Sequence, residues 1–162
     1  FFTNFGGGGS TLGLVILMCT VCKSQRIKQL GRLSIVPGFF GINEPIIFGL
    51  PVVLNPIIII PFMLCPLLNL ILSYFATVWE IIPRTTGVNL PWTTPIGFSG
   101  WLSTGSWTAS VWQLFLLALN MVLYFPFIKT LDRKYLEDEA NAEANAGEEE
   151  EISFDDLDLD DL

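Results

Sequence analysis

The stretch from residue 38 to residue 56 constrains this chain more than any other: a single carboxylate, Glu44, stands in an apolar run broken by Pro45, Pro51 and Pro56. A carboxyl near the centre of a bilayer costs roughly 2.5 to 3.5 kcal/mol on insertion scales, so it persists where it faces a polar cavity or a partner. Each proline also removes a helical N–H and frees carbonyls that must be satisfied by protein or water. Interrupted backbone beside an intramembrane acid is the usual construction of a substrate site between membrane helices.

Composition supports a membrane setting. The chain is 51% hydrophobic with five Trp and a mean hydropathy of +0.56, more apolar than an ordinary soluble domain. The formal charge of −8 is misleading, because thirteen of the sixteen acids lie in residues 137–162, which hold no base. Residues 1–136 carry eight Lys and Arg against Glu44, Glu80 and Asp132, a net of +5. With no His anywhere, a histidine base, a phosphohistidine relay and a His-ligated metal are all excluded within these residues. Cys19 and Cys22 form a C-x-x-C and Cys65 is isolated, but all three lie in apolar runs with no further ligands in view, so they read as packing residues. Phe1 is no initiator, and no charged leader with a cleavage site precedes the first apolar run, so the sequence reads as a fragment beginning within a longer protein.

The hydropathy pattern gives two spanning helices, Phe62 to Trp79 and Val111 to Ile128, each eighteen residues. Leu12 to Cys22 is short for a span and reads as a half-helix entering from a re-entrant loop, or as the end of a longer helix. Residues 80–110, rich in Pro, Gly, Thr and Trp, read as a loop. Basic clusters at 23–32 and 129–134 mark two cytoplasmic ends, so an even number of crossings separates them. The expected fold is an all-α integral membrane protein, with transmembrane helices, re-entrant hairpins and broken helices. Two divisions are expected: residues 1–134 as the membrane part, and 135–162 as an acidic, disordered, solvated tail.

Three motifs carry the candidate chemistry. Gly6-Gly7-Gly8-Gly9-Ser10-Thr11 opens an apolar helix, where glycines let backbone amides approach a ligand closely or let helices pack. Ile42-Asn43-Glu44-Pro45 offers an amide and a carboxylate able to hold sugar hydroxyls, or an acid that caps a broken helix or pairs with Arg84. Pro91-Trp92-Thr93-Thr94-Pro95 fixes a loop around an indole on which a pyranose ring can stack. Trp79, Trp101, Trp107 and Trp112 read instead as interfacial belt residues.

In this order, with Pro37-Gly38-Phe39-Phe40-Gly41 leading the middle motif and Phe48-Gly49-Leu50-Pro51 closing it, the chain resembles the lactose/cellobiose-type EIIC membrane component of the bacterial phosphotransferase system. The resemblance runs from residue 1 to about residue 134. It implies a multi-pass permease of the bacterial cell membrane that binds a β-linked disaccharide of cellobiose, lactose or chitobiose type. A separate EIIB subunit, phosphorylated on cysteine, would phosphorylate the sugar. Glu44 would be the catalytic carboxylate, contacting the hydroxyl to be phosphorylated, and the substrate contacts would be Asn43, Glu44, Trp92, Thr93, Gly7 and Ser10. Gly8 departs from the pattern, since the family often has Ser there. The resemblance implies no metal, organic cofactor or nucleic acid. Its partners are the sugar, EIIB and the bilayer, and the complete family member dimerises through an N-terminal half that this sequence lacks. Two other readings stay open on the residues themselves: an ion-coupled secondary transporter with Glu44 as the proton or cation site, and an inactive truncated fragment.

Overall fold

The computed structural model describes residues 2–4, 6–52 and 54–157, with side chains to residue 145. Among the described residues there is no strand. A single 3-10 turn, Gly8–Ser10, precedes six α-helices: α1 Leu12–Thr20, α2 Gln25–Phe39, α3 Glu44–Gly49, α4 Pro56–Val78, α5 Phe98–Thr104 and α6 Trp107–Leu157.

The short helix α1 is the hub. Its nine residues are almost wholly apolar, and Leu14, Val15, Leu17 and Met18 are buried, so it is enclosed on every side rather than amphipathic. It packs against both α2 and α6. Small residues permit the close approach: a Cβ at Gly31 of α2 would lie 2.9 Å from the Met18 Cβ, and one at Gly13 would lie 3.2 Å from the Met121 side chain. The half-helix expected over Leu12 to Cys22 is therefore present, and it ends at Thr20.

The helix α4 begins earlier than hydropathy places it. The Asn55 side chain accepts from the Ile57 N–H at 3.0 Å, and Pro56 occupies the first turn, where its missing N–H is harmless. The helix then continues through Pro61 and Pro66. Its buried stripe includes Ile58, Cys65, Asn69, Ser73 and Ala76, while Met63, Leu67, Leu70 and Tyr74 are exposed. The polarity is inverted relative to a water-soluble helix. Asn69, Gln113 and Asn120 are fully buried, whereas Met63 is 71% exposed. That distribution suits an apolar solvent: the Asn69 amide N–H group and Gln113 find partners inside the fold, while the Asn120 amide finds none among the described residues. By length and composition α4 and the first part of α6 can each cross a bilayer.

The structure adds to the sequence reading at four points. The loop read over 80–110 contains α5 and the start of α6. Phe98–Thr104 has weak intrinsic helicity, and a distant side chain supplies what the segment lacks: the Gln113 Oε1 accepts from the N–H groups of Gly97 (2.8 Å) and Gly100 (3.0 Å), capping the N-terminus of α5. Trp112, read as a belt residue, donates from Nε1 to the Ser73 Oγ at 3.2 Å and so ties α6 to α4. The basic run from Lys23 to Arg32, read as a cytoplasmic end, lies largely in α2, whose N-cap Ser24 accepts from the Ile27 N–H. Finally, α6 does not stop at residue 134 but runs to Leu157, and residues 158–162 of the expected tail lie outside the described residues. Residues 139–146 alternate good helix formers, Glu and Ala, with Asn.

The beginning of that extension is anchored. The Asp132 carboxylate accepts from the N–H groups of Lys23 (3.0 Å) and Ser24 (2.9 Å), and two turns on Glu139 accepts from the Ser24 hydroxyl (2.7 Å) and the Arg26 N–H (3.3 Å). Both carboxylates meet the N-terminus of α2, where negative charge is favoured. The Arg26 guanidinium lies 5.5 Å from the Tyr135 ring centroid. Replacing Asp132 with Ala leaves two N–H groups without their acceptor, and it is expected to cost about 1–3 kcal/mol. A thermal unfolding series in detergent checks this, with Asp132→Asn recovering part of the loss through its remaining carbonyl.

Candidate functional site

Before α1, four of the described residues have their backbone carbonyls taken up by side chains. The Thr3 carbonyl accepts from the Ser10 hydroxyl and from the Asn69 amide (3.1 Å), and the Gly6 carbonyl accepts from the Thr11 hydroxyl at 2.6 Å. The Gly8 carbonyl accepts from the Asn43 amide at 2.6 Å, and the Gly9 carbonyl from the Tyr124 hydroxyl at 2.6 Å. Asn69 also donates to the Ser10 Oγ at 2.9 Å. Side chains from α4, α6 and the turn before α3 thus hold one short stretch of backbone in place.

Glycine is required at particular points of this arrangement. Gly7 has φ +92°, and a Cβ there would lie 2.6 Å from the Asn43 Cγ. Gly41 has φ +83°, and a Cβ there would sit 3.1 Å from the Trp92 carbonyl, so the proline-framed loop lies against the turn before α3. That loop is closed at Pro91 to Thr94, where the Thr94 N–H (3.0 Å) and hydroxyl (2.7 Å) both donate to the Pro91 carbonyl.

These three segments enclose a cavity of about 430 Å³ lined by Thr3, Asn4, Gly7, Gly8, Gly41, Asn43, Glu44, Leu90 and Trp92. The volume falls in the range of small-molecule sites. Glu44 opens the six-residue helix α3, with Asn43 as its N-cap residue. The side chain of Asn43 does not cap the helix but crosses to Gly8, leaving its carbonyl oxygen as an acceptor. Glu44 is solvent-exposed, and among the described residues it makes no ion pair with Arg84. Trp92 is 70% exposed, which leaves much of its indole free for contact.

Of the residues singled out from sequence, Gly7, Asn43, Glu44 and Trp92 meet in this cavity, and Ser10 and Thr93 do not line it. Ser10 is fully buried behind the glycines and is bonded to Thr3 and Asn69. Thr93 is half-buried outside the lining. Sequence reading missed Thr3 and Asn4, a polar pair among phenylalanines, and the braces Asn69 and Tyr124. A lone amide in a spanning helix was the available signal for Asn69. Cys22, outside the two spans, is buried beside Asp132, and its thiol is pushed up to about 12, chiefly by burial and next by the Asp132 carboxylate. It therefore stays a neutral thiol at physiological pH, which suits packing rather than redox work.

Residues 1–66 match the family model "Phosphotransferase system, EIIC". The fold matches the crystal structure of the transporter ChbC, the IIC component from the N,N'-diacetylchitobiose-specific phosphotransferase system, with a TM-score of 0.84 and 44% identity over 86% of this chain and 32% of that one. The chain belongs to the EIIC family of the phosphotransferase system. Its similarity extends to the lichenan permease IIC component of Bacillus subtilis (strain 168), 40% identical over 88% of this chain and 32% of that protein. The lactose-specific EIICB component of Staphylococcus aureus (strain N315) is 41% identical over 94% of this chain and 27% of that protein. The chain spans about a third of the length of the EIIC relatives it matches.

The geometry separates two adjacent glycines of this EIIC chain. Gly7→Ala meets both the positive φ and the Asn43 side chain, and it is expected to cost roughly 1–3 kcal/mol. Gly8→Ala places its Cβ 3.7 Å from the Asn43 amide at an ordinary φ, so it should leave the melting temperature nearly unchanged. Equal melting temperatures for the two variants would mean that the segment does not hold this conformation.

Proposed function

We propose that this chain forms the sugar-binding part of a multi-pass permease in the bacterial cell membrane, an EIIC component that carries a β-linked disaccharide for phosphorylation by EIIB. The observation that carries this reading is the single cavity bringing Asn43, Glu44 and Trp92 together beside the glycine segment. A carboxylate and an amide oxygen can accept from several hydroxyls at once, and an indole face matches the apolar face of a pyranose. The sugars named for the relatives, lichenan, lactose and N,N'-diacetylchitobiose, are all β-linked. The transport unit on this reading is residues 1–134, with 135–162 as an acidic extension.

In the proposed reaction Glu44 orients one sugar hydroxyl and accepts its proton as the hydroxyl oxygen attacks phosphorus. The new O–P bond forms as the S–P bond of the EIIB phosphocysteine breaks, and the thiolate leaves. Asn43 holds a second hydroxyl, and Trp92 limits rotation of the ring. A membrane orientation with both basic clusters on the cytoplasmic side draws support from Lys23, Lys129 and Arg133 lining one cavity, which sets the clusters at the same end of the fold.

The test uses the complete permease in cells supplying EIIB. Glu44→Gln keeps the volume and loses the base, so phosphorylating uptake is expected to fall by roughly a hundredfold or more with unchanged amounts of protein in the membrane. Trp92→Ala is expected to weaken sugar binding up to about tenfold through loss of the stacking face. Near-normal uptake by the Gln variant, or unphosphorylated sugar as the internal product, would overturn the reading.

A further inference from the structure

A second cavity, of about 610 Å³, opens where α6 meets the turn between α1 and α2, and it shares no lining residue with the cavity that holds Glu44. Three cations line it, Lys23 from the turn and Lys129 and Arg133 from α6, more than a hundred residues apart in sequence. Asp132 also lines it, but its oxygens accept from the N–H groups of Lys23 and Ser24. The cations outnumber that one engaged carboxylate, and gathering like charges is unfavourable without an anion. Apart from Thr130 the remaining wall is apolar, and the Phe125 ring centroid lies 5.8 Å from the Lys129 ammonium.

The cavity lies at the foot of an exposed apolar stripe. Phe115, Ala118, Val122 and Phe125 recur at alternating intervals of three and four residues and are exposed, and the next steps on the same face are Lys129 and Arg133. From Phe115 to Phe125 the stripe is about 15 Å long, the depth of one leaflet's hydrocarbon. A surface with an apolar track ending in a cationic cup fits an amphiphile with an anionic head.

We propose that this cup binds the phosphate headgroup of an anionic phospholipid, with one acyl chain laid along the α6 stripe. The inference rests on the membrane setting proposed above but not on sugar transport. A free phosphate would satisfy the cations alone, whereas only a lipid also covers the stripe.

The full chain is reconstituted in nanodiscs of phosphatidylcholine with a minor fraction of phosphatidylglycerol, released into detergent, and its retained lipids are counted by native mass spectrometry. The chain is expected to retain phosphatidylglycerol over phosphatidylcholine by roughly tenfold beyond their ratio in the disc. Lys129→Gln with Arg133→Gln should bring retention to parity, and Lys23→Gln, from the other element, should lower it in the same direction. Lys134→Gln, a neighbouring base outside the lining, should leave the preference intact, and circular dichroism reports whether each variant keeps its helices. Excess inorganic phosphate should not displace the lipid. Equal retention of the two lipids, an undiminished preference in a folded double variant, or displacement by phosphate would overturn the lipid site. Absence of the chain from the membrane fraction would instead overturn the membrane reading beneath it.

Discussion

Much of this structure depends on how the backbone from Thr3 to Gly9 satisfies its carbonyl groups. An irregular segment set among apolar helices cannot turn to bulk water, and each buried carbonyl left unpaired costs more than a typical hydrogen bond contributes. Here the carbonyls of Thr3, Gly6, Gly8 and Gly9 find donors on Ser10, Thr11, Asn43, Asn69 and Tyr124. The Asn43 bond couples this brace to the chemistry, because the next residue is Glu44. Fixing the amide on Gly8 also fixes the start of α3, and hence the backbone that carries the carboxylate.

The helices make that brace possible through inverted polarity. Buried Asn69 on α4 and Tyr124 on α6 reach the segment because α1 is short, buried and closely approached by both α2 and α6. The outer faces of α4 and α6 are left apolar. This arrangement gives a polar, solvated cavity inside a body whose surface suits lipid. It also places the non-helical turn before α3 at the cavity, where Gly41 and Asn43 line it.

The sequence carried part of this plainly. Hydropathy located α4 and the first part of α6, and the three motifs contain five of the nine residues that line the cavity, Gly7, Gly8, Asn43, Glu44 and Trp92. Ser10 and Thr93 were singled out because a hydroxyl beside a glycine run or a tryptophan looks like a ligand group; both lie outside the cavity lining, and Ser10 serves the backbone. Asn69 and Tyr124 could not be linked to the glycines by local reasoning, since their partners lie 59 and 115 residues away. For the same reason α5 was hidden, its first turn being capped by Gln113 of the next helix. The extension of α6 draws on the helix propensity of Glu and Ala and on the contact of Glu139 with Ser24, a partner 115 residues away.

The central claim is that the braced glycine segment, the Asn43–Glu44 turn and the Trp92 loop form one sugar site. A structure of the complete permease with a β-linked disaccharide bound tests it most directly. The account predicts a pyranose ring against Trp92 and a sugar hydroxyl about 3 Å from a Glu44 carboxylate oxygen, with Asn43 still bonded to the Gly8 carbonyl. Sugar bound elsewhere in the fold, with Glu44 and Trp92 making no contact to it, would contradict the account.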